Sequence, residues 1–341
     1  MNILVTGGAG FIGSNFINYL LKADIHSNVI NLDALTYAGN LHNTAQFKNN
    51  IRYTFVKGDI CDTELVDQIF MEYSINAVVH FAAESHVDNS ISGPLAFIKS
   101  NIEGTFVLLE AARKHWTNGP FILKEGFEKA RFHHISTDEV YGSLGPKGYF
   151  KESTPYAPNS PYSASKASSD FLVRSYHHTY GLNVVTTNCS NNYGPHQHDE
   201  KLIPTIIRNA IKGRDIPIYG DGKNIRDWLF VTDHCKGIWE VFKKGSSGET
   251  YLFGGGVERT NLQIANSLCS ILDAIAPKKE GRYVDQIIFV KDRPGHDYRY
   301  AIDYSKVEKE IGWQPQENFE TGLERTVGWY LGKYGKVDEM D

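Results

Sequence analysis

Short apolar runs alternate with longer amphipathic stretches along the first half of the chain. Helical patterns lie between most of the runs, and the clearest begins after Pro94. This alternation predicts an α/β fold, in which helices cover both faces of a parallel sheet. Six runs have the length and composition of buried strands: Asn2 to Val5, Val29 to Leu32, Tyr53 to Val56, Ala77 to Phe81, Phe132 to Ile135 and Val184 to Thr187. The helix after Pro94 places five apolar residues on one face: Leu95, Ile98, Ile102, Phe106 and Leu109.

The pattern changes after Gly194-Pro195, where apolar runs become short and scattered. Two late helices are predicted to start near Asn261 and Asn318, and Thr260 with Gln263 forms a capping box for the first of them. We therefore expect a first domain over residues 1–194 and a smaller, mixed α/β domain over residues 195–341. Some segments of the second part are expected to return to the first domain.

Composition excludes several classes of protein. The 341 residues are 41% hydrophobic and 22% charged, which is ordinary for a globular protein. With 35 basic and 40 acidic residues, the net charge of −5 argues against a nucleic-acid partner. No run of about 18 apolar residues indicates a membrane span, and no secretory signal is recognisable, so we expect a cytoplasmic protein. The four cysteines lie far apart, and the paired histidines lack a third ligand nearby, so we expect no metal site.

A glycine motif follows the first predicted strand. Gly8 to Gly13 has the spacing G-x-G-x-x-G, and Gly7 adds G-x-x-G-x-x-G. The motif also opens an amphipathic helix, which is the context that a Rossmann-like dinucleotide site requires. A glycine-rich turn without a ligand is the alternative, and the flanking strand and helix argue against it. Asp33 ends the next strand, where its carboxylate would bind ribose hydroxyls and repel a 2′-phosphate, so NAD is expected rather than NADP. The alternative role for this aspartate is a simple turn cap.

A second pair of residues suggests acid–base chemistry. Tyr162 and Lys166 are four residues apart and so share a helix face. We expect the ammonium to lower the tyrosine pKa toward neutrality and make the phenol a base for a sugar hydroxyl. Such pairs are common by chance, but this one accompanies the glycine motif and Ser136-Thr137. In this combination the sequence, from Met1 to about Trp329, resembles the extended short-chain dehydrogenase/reductase family.

Two adjacent carboxylates, Asp138 and Glu139, distinguish members of that family. Epimerases of the family carry small or neutral residues here, whereas the pair resembles the sugar-nucleotide 4,6-dehydratases. Elimination of water beside a ketone needs one acid and one base. Because consecutive strand residues face opposite sides, both carboxylates share a site only if the chain leaves the sheet after Ile135 or Ser136. A solvated acidic pair at a helix start is the alternative.

Five further segments resemble the dTDP-glucose 4,6-dehydratases within that family. They are Leu32 to Asn40, Ala82 to Asp88, Cys189 to Pro195, Gly222 to Trp228 and Asp292 to His296. Ser100 stands where threonine is expected, which keeps the hydroxyl. Arg226 and Arg293 suit a diphosphate because guanidinium groups bind oxyanions bidentately.

The resemblance implies roles for individual residues. The catalytic set is Thr137, Asp138, Glu139, Tyr162 and Lys166. Contacts with NAD are implied for Gly7, Gly10, Phe11, Ile12, Gly13, Asp33, Ala34, Leu35, Thr36, Asp59, Ile60, Phe81, Ala82, Ala83, Ser85, Ser100, Tyr162, Lys166 and Asn192. Contacts with the nucleotide sugar are implied for Ser85, Thr137, Asn191, Lys201, Leu202, Pro217, Ile218, Tyr219, Arg226, Asn261, Asp292, Arg293, Pro294, Gly295 and His296.

The resemblance implies a lyase that oxidises C4 of dTDP-glucose, eliminates water across C5 and C6, and returns the hydride to C6. NAD would stay bound and be regenerated at each turnover. Three alternatives remain open: a UDP-glucose dehydratase, a 4-epimerase, and a catalytically silent NAD-binding regulator. A homodimer is implied through the helices after Pro94 and around Tyr162.

Overall fold

The computed structural model describes residues 1–292 and 296–335. The predicted site residues Arg293, Pro294 and Gly295 lie outside this part of the chain. The strands are β1 Asn2–Thr6, β2 Asn28–Asp33, β3 Tyr53–Lys57, β4 Ala77–His80, β5 Thr117–Gly119, β6 Ile122–Leu123, β7 Arg131–Thr137, β8 Val184–Cys189, β9 Asn191–Tyr193, β10 Ile216–Tyr219, β11 Ile225–Phe230, β12 Thr250–Phe253, β13 Glu258–Thr260 and β14 Ile287–Val290.

The helices lie mostly between these strands. They are α1 Phe11–Ala23, α2 Thr63–Glu72, α3 Val87–Ser92, α4 Pro94–Phe97, α5 Gly104–Trp116, α6 Pro161–Tyr180, α7 Leu202–Ile211, α8 Val231–Lys244, α9 Asn261–Ile275, α10 Ser305–Ile311 and α11 Phe319–Gly335. Three short 3-10 turns, Leu41–Thr44, Asp138–Tyr141 and Tyr283–Gln286, complete the backbone together with one π-helical segment, Ile98–Glu103.

Seven parallel strands form the main sheet, in the order β12-β8-β7-β4-β1-β2-β3. All six predicted strands belong to it, so the prediction of a doubly wound α/β fold is confirmed. The seventh strand, β12, comes from beyond residue 195 and pairs with β8. Because all strands run in the same direction, their carboxyl ends meet at one edge, where ligands bind in such folds.

Alternation along β1 explains how the sheet is covered on both faces. Ile3 and Val5 pack into the core beneath α1 and α8, whereas Leu4, between them, packs into the core beneath α2, α5 and α6. All three side chains are fully buried. Continuous apolar strands of this kind are typical of parallel sheets that carry helices on both faces.

A third core holds the carboxyl-terminal part of the chain together. Helices α7, α9 and α11 pack there against a small mixed sheet, β13-β11-β9, and a parallel pair, β10-β14. Helix α9 begins at Asn261 behind the predicted Thr260–Gln263 capping box, and α11 begins at Phe319, so both late helices are confirmed. Only Ser190 separates β8 from β9, which places the small sheet beside the carboxyl edge of the large one.

The helix predicted after Pro94 is interrupted. Helix α4 passes through the π-helical segment Ile98–Glu103 before α5 begins. Inside that segment, the Asn101 side chain bonds both the backbone N–H and the carbonyl of Glu84, and it donates to the Ser165 hydroxyl. The apolar stripe therefore turns around the helix: Phe106 is exposed, whereas Leu109 is fully buried. No helix in the described residues is long and apolar enough to span a membrane.

Candidate active site

One cleft lies at the carboxyl ends of the main-sheet strands and encloses about 320 Å³. The structure brings most of the predicted site residues to its wall. These are Gly7, Gly10, Phe11, Ile12, Gly13, Asp33, Ala34, Thr36, Asp59, Ile60, Phe81, Ala82, Ala83, Ser85, Ser100, Thr137, Asp138, Glu139, Tyr162, Lys166, Asn191, Asn192 and Lys201. All five residues of the predicted catalytic set are therefore in one place.

The glycine loop is shaped for close backbone packing. Gly7 has φ +70°, and a Cβ there would lie 2.6 Å from the backbone nitrogen of Ala82. Gly13 is equally constrained, because its Cβ would lie 2.4 Å from the Gly7 carbonyl oxygen. Helix α1 then begins at Phe11 with no side-chain cap and no acidic residue in its first turn. Its first N–H groups and the positive end of its dipole consequently suit an anion such as a pyrophosphate.

Asp33 lies at the end of β2, and its carboxylate is held by the backbone. Oδ2 accepts a 2.8 Å hydrogen bond from the Ala9 N–H, and Oδ1 accepts one of 2.8 Å from the Leu35 N–H. Burial raises the pKa of Asp33, and these two hydrogen bonds oppose the shift. A carboxylate has about four acceptor positions, so the group retains the capacity to bind ribose hydroxyls.

The two carboxyl groups share the cleft because the chain leaves the sheet beside them. The expected exit after Ile135 or Ser136 is wrong by one or two residues, since β7 continues through Thr137. The Thr137 hydroxyl then accepts a hydrogen bond from the Glu139 N–H and thereby caps the turn Asp138–Tyr141. This turn removes the strand alternation that would place the two side chains on opposite faces.

Asp138 is a buried carboxyl group with a raised pKa. Its side chain is 2% exposed, and its Oδ2 atom is buried without a hydrogen-bond partner. Burial raises its pKa well above the usual value, and the negative charges of Glu139 and Asp227 raise it further, whereas Arg226 opposes the shift. A carboxyl group in such surroundings stays protonated near neutral pH and can donate a proton.

Tyr162 and Lys166 lie on the first turns of α6, behind the capping box formed by Ser160 and Ser163. Both side chains are buried, and the Lys166 Nζ atom donates a 2.8 Å hydrogen bond to the Ile135 carbonyl. Helical spacing places the phenol and the ammonium on the same face, next to the end of β7.

The pKa of Tyr162 differs from the expectation. Burial raises it well above its usual value, the charge of Glu139 and the nearby Cys189 raise it further, and a hydrogen bond with Thr137 opposes the shift. The expectation that Lys166 lowers this pKa toward neutrality is wrong. The physical reason is that desolvation of the phenol exceeds the attraction of an ammonium that is itself bonded to a backbone carbonyl.

Comparison with known proteins adds to this geometry. The model of the GDP-mannose 4,6 dehydratase family matches residues 4–326. A dTDP-glucose 4,6-dehydratase from Xanthomonas campestris pv. campestris is 56% identical over 329 residues, which cover 96% of this chain and 92% of the relative. The chain belongs to this family of sugar-nucleotide 4,6-dehydratases.

Solved structures agree with the family assignment. A dTDP-glucose 4,6-dehydratase from Bacillus anthracis, determined in complex with NAD, is 45% identical, superposes with a TM-score of 0.86, and the match covers 98% of each chain. A UDP-glucose 4-epimerase from Thermotoga maritima has a TM-score of 0.84 but only 28% identity, with 98% of this chain and 100% of the epimerase covered. The fold is therefore shared with epimerases, whereas the sequence is closer to the dehydratase.

Nine predicted dehydratase site residues lie away from the wall of this cleft. Leu35, with φ 54°, forms part of the loop after β2, and Leu202 opens α7. The others belong to the carboxyl-terminal part: Pro217, Ile218, Tyr219, Arg226, Asn261, Asp292 and His296. Three of them form a cluster, because His296 lies 2.7 Å from an Asp292 oxygen and its ring meets the Tyr219 ring edge-on at 6.5 Å. Their roles remain predictions.

Arg226 belongs to the predicted residues of the carboxyl-terminal part, and its charge reaches the turn Asp138–Tyr141. Its guanidinium donates to the carbonyls of Ile225 and Asp297 at 2.7 and 3.0 Å, and it lies over the Tyr300 ring at 4.3 Å. Its charge also acts on the Asp138 carboxyl. Arg226, on β11 of the small carboxyl-terminal sheet, therefore acts on the turn Asp138–Tyr141.

Sequence reasoning missed several residues in the cleft of this dehydratase-family chain. Cys189, at the end of β8, lines the wall, and its sulfur accepts a 3.4 Å hydrogen bond from the Asn192 amide. Gln197, His198 and Glu200 lie in the loop before α7 and also line the wall. Only their closeness in sequence to Asn191 and Lys201 could have indicated them. No group of three or more potential metal ligands occurs among the residues described.

Proposed function

We propose that this chain is an NAD-dependent lyase that removes water from dTDP-glucose and forms dTDP-4-keto-6-deoxyglucose. The observation that carries the proposal is the placement of Asp138 and Glu139 beside Tyr162 and Lys166 in one cleft. A 4-epimerase needs a tyrosine and NAD but no second acid–base pair, whereas elimination of water needs both an acid and a base. The curated relatives at 51–56% identity carry the dehydratase name, and this supports dTDP-glucose as the substrate.

The residues present fit NAD. The glycine loop allows close approach of the pyrophosphate to the α1 N-terminus, and the Asp33 carboxylate would bind the adenosine ribose. Ala34, Leu35 and Thr36 follow Asp33, so no arginine is at hand for a 2′-phosphate. When bound, NAD accepts the hydride from C4 of the sugar and gives it back at C6.

The first chemical task of the protein is to remove the proton of the 4-hydroxyl. Tyr162 is the base, and Thr137 orients the hydroxyl that reacts. Lys166 supplies a positive charge that favours the tyrosinate as the proton leaves. Because the resting phenol has a raised pKa, its proton is expected to leave only when substrate and cofactor are both in the cleft.

The second task is elimination. A ketone at C4 makes the C5 proton acidic, so a carboxylate can remove it, and a neutral acid must protonate the departing 6-hydroxyl. Asp138 is the acid because burial keeps it protonated. Glu139, which is only partly buried, is the base. Glu139 then returns its proton to C5, and the proton that Tyr162 took from the 4-hydroxyl balances the one that Asp138 gave to the departing water.

We propose that the carboxyl-terminal part, residues 195–341, holds the nucleotide. Arg226 and Arg293 would bind the diphosphate, and Ser85, Asn191, Lys201 and Leu202 would contact the nucleotide sugar. The remaining contacts are proposed for Pro217, Ile218, Tyr219, Asn261, Asp292, Pro294, Gly295 and His296. Two of these residues are in contact, because the Lys201 Nζ atom donates a 2.9 Å hydrogen bond to the Ser85 carbonyl.

We also propose a homodimer. Leu95, Ile98 and Phe106, from α4 to α5, and Phe171, on the adjacent α6, are all exposed apolar side chains. Helix α6 packs directly against α4 and α5, so these residues belong to neighbouring helices that present apolar groups to solvent. Pairing two such surfaces would bury them in a four-helix arrangement, as a symmetric interface requires.

The test of the reaction is product analysis by mass spectrometry with dTDP-glucose and UDP-glucose offered in competition. The proposal predicts that the dTDP sugar loses water in preference to the UDP sugar. A UDP product formed faster would favour the UDP-glucose dehydratase, and products of unchanged mass would favour an epimerase. A sustained rise of free reduced nicotinamide would contradict a redox-neutral reaction.

A further inference from the structure

Asp170 is a buried carboxylate that the reaction described above does not use. It lies on α6, and its side chain is only 4% exposed. Its Oδ2 atom accepts hydrogen bonds from the Ser136 hydroxyl at 3.0 Å, the Tyr156 hydroxyl at 2.9 Å and the Asn188 amide at 3.1 Å. The His134 Nε2 atom lies 3.1 Å from Oδ1. These partners come from β7, from β8 and from the segment before α6.

The partners keep this carboxylate ionised inside the protein. Burial alone would raise the pKa of Asp170, but hydrogen bonds from His134 and Ser136 and the charge of Lys166 hold it below the usual value. An isolated buried carboxylate would instead take up a proton. The site is therefore built to hold a negative charge at a fixed place.

That place is one helical turn beyond Lys166. Residues four apart on a helix are neighbours on the same face, so Asp170 lies next to the catalytic lysine. Burial lowers the pKa of Lys166 to about 8, and the charge of Asp170 opposes the shift. Without that opposition, desolvation would lower the pKa of Lys166 further.

The other titratable groups around Lys166 cannot replace this charge. Burial lowers the pKa values of His80 and His134, so both imidazoles are neutral near pH 7. Burial raises the pKa values of Tyr162 and Cys189, so both are neutral as well. Asp138 and Glu139 lie farther along the chain, in the turn past the end of β7.

Asp170 is also joined to the catalytic turn. Ser136, which donates to Asp170, directly precedes Thr137 in β7. The Asn188 amide donates to Asp170 and also to the Thr137 carbonyl, at 3.0 Å. The carboxylate thus connects α6 with the ends of β7 and β8, where the reacting hydroxyl and the acid–base pair are positioned.

We propose that Asp170 is a positioning residue that keeps Lys166 charged and fixes the end of β7 against α6. It touches neither sugar nor cofactor and acts through Lys166 and Thr137. The proposal rests on the proposed function only in that Lys166 must be charged for catalysis. The charge state of Lys166 itself can be measured without any turnover.

The direct experiment is a pH titration of Lys166 by NMR in full-length protein with ¹³C-labelled lysine, with the resonance assigned through Lys166→Arg. Asp170→Asn and Asp170→Ser both remove the charge, and the smaller serine avoids placing an amide NH2 against these donors. Tyr156→Phe is the matched control, because it removes one hydrogen bond and keeps the carboxylate. We expect the Lys166 pKa to fall by about one unit in the neutral variants and to stay near its original value in Tyr156→Phe.

Activity supplies the second readout. The alkaline limb of the kcat profile should move to lower pH by the same amount in Asp170→Asn or Asp170→Ser and stay in place in Tyr156→Phe. An unchanged Lys166 pKa in a folded neutral variant would overturn the proposal. Failure of both neutral variants to fold would also overturn it, because Asp170 would then be needed for the fold itself. A shifted NMR titration in a protein with no dehydratase activity would support this inference and contradict the proposed function alone.

Discussion

The backbone N–H of Glu139 donates a 3.2 Å hydrogen bond to the Thr137 hydroxyl. This bond caps the turn Asp138–Tyr141 at the point where β7 ends. The turn brings two consecutive carboxyl groups into one cleft, and burial raises the pKa of one of them, Asp138. Elimination after oxidation therefore requires this backbone turn as well as the two carboxyl residues that it positions.

Asp138→Asn tests the acid directly. Asparagine has nearly the same shape but has no acidic proton to give to the departing 6-hydroxyl, so we expect kcat for water loss to fall about 10²- to 10⁴-fold. Oxidation at C4 should persist, and stopped-flow absorbance should show bound nicotinamide accumulating in its reduced form. Asp221→Asn is the control, because Asp221 is exposed and paired with Lys223. Undiminished water release by Asp138→Asn would contradict the assigned role.

Gly7→Ala tests the glycine loop. An alanine at φ +70° costs about 1–2 kcal/mol, and its Cβ would meet the Ala82 backbone at 2.6 Å. We expect a lower melting temperature and at least about tenfold weaker binding of NAD, measured by calorimetry. Gly145→Ala is the matched control, because a Cβ at Gly145 meets nothing within 4 Å. Equal NAD affinity in the two variants would contradict close approach of the backbone to the cofactor.

The buried His234 predicts a pH dependence of stability. Burial lowers its pKa to about 3, whereas an unfolded histidine titrates near 6.5. Between these values the unfolded chain binds a proton at this histidine that the folded chain does not. Protonation therefore favours the unfolded chain, and the free energy of unfolding falls as the pH drops below 6.5. The free energy of unfolding is expected to be lower by about 1.4 kcal/mol at pH 5.5 than well above pH 6.5.

Urea unfolding at pH 7.5 and pH 5.5 measures this contribution. His234→Asn should be less stable at both pH values, because it loses the 2.9 Å contact with Asn192, but its stability should change less between them by about 1.4 kcal/mol. His178→Asn, at an exposed site on α6, should retain the original pH dependence. An identical pH dependence in His234→Asn would show that His234 is not the source.

Phe106→Asp tests the dimer. A carboxylate on this exposed apolar surface would be buried without a partner in a dimer, so we expect the dissociation constant to rise at least about a hundredfold. Analytical ultracentrifugation gives the measurement. Phe289→Asp changes an equally exposed phenylalanine on β14 and should leave the association unchanged. A wild-type chain that sediments as a monomer at all concentrations would exclude the proposed dimer.

Local periodicity was sufficient to predict six of the seven strands of the main sheet and both late helices, because buried parallel strands and capped helices are marked by nearby residues. The π-helical segment was not predictable, because it depends on Asn101 reaching Glu84 across the fold. The exit from β7 was misplaced for a similar reason, since the Thr137 cap is visible only in the folded chain.

The chemical motifs of the site were visible in the sequence, but their electrostatics were not. Tyr162 and Lys166 could be paired by spacing, whereas the raised pKa of the phenol follows from burial, which spacing does not report. Cys189 reaches the cleft because it ends β8, and Glu200 reaches it from the loop before α7, which no motif marks. The role of Asp170 was not predictable either, because its carboxylate is held by hydrogen-bond donors from three different segments.

The most direct measurement of the central claim follows a single hydrogen. Purified protein would be incubated with dTDP-glucose that carries deuterium at C4, and the product would be analysed by mass spectrometry and NMR. Our account predicts a product that has lost one water and carries the deuterium at C6, since the hydride removed from C4 returns within the same cleft. A product that keeps its water and has deuterium at C4, or one that has lost the deuterium, would contradict it.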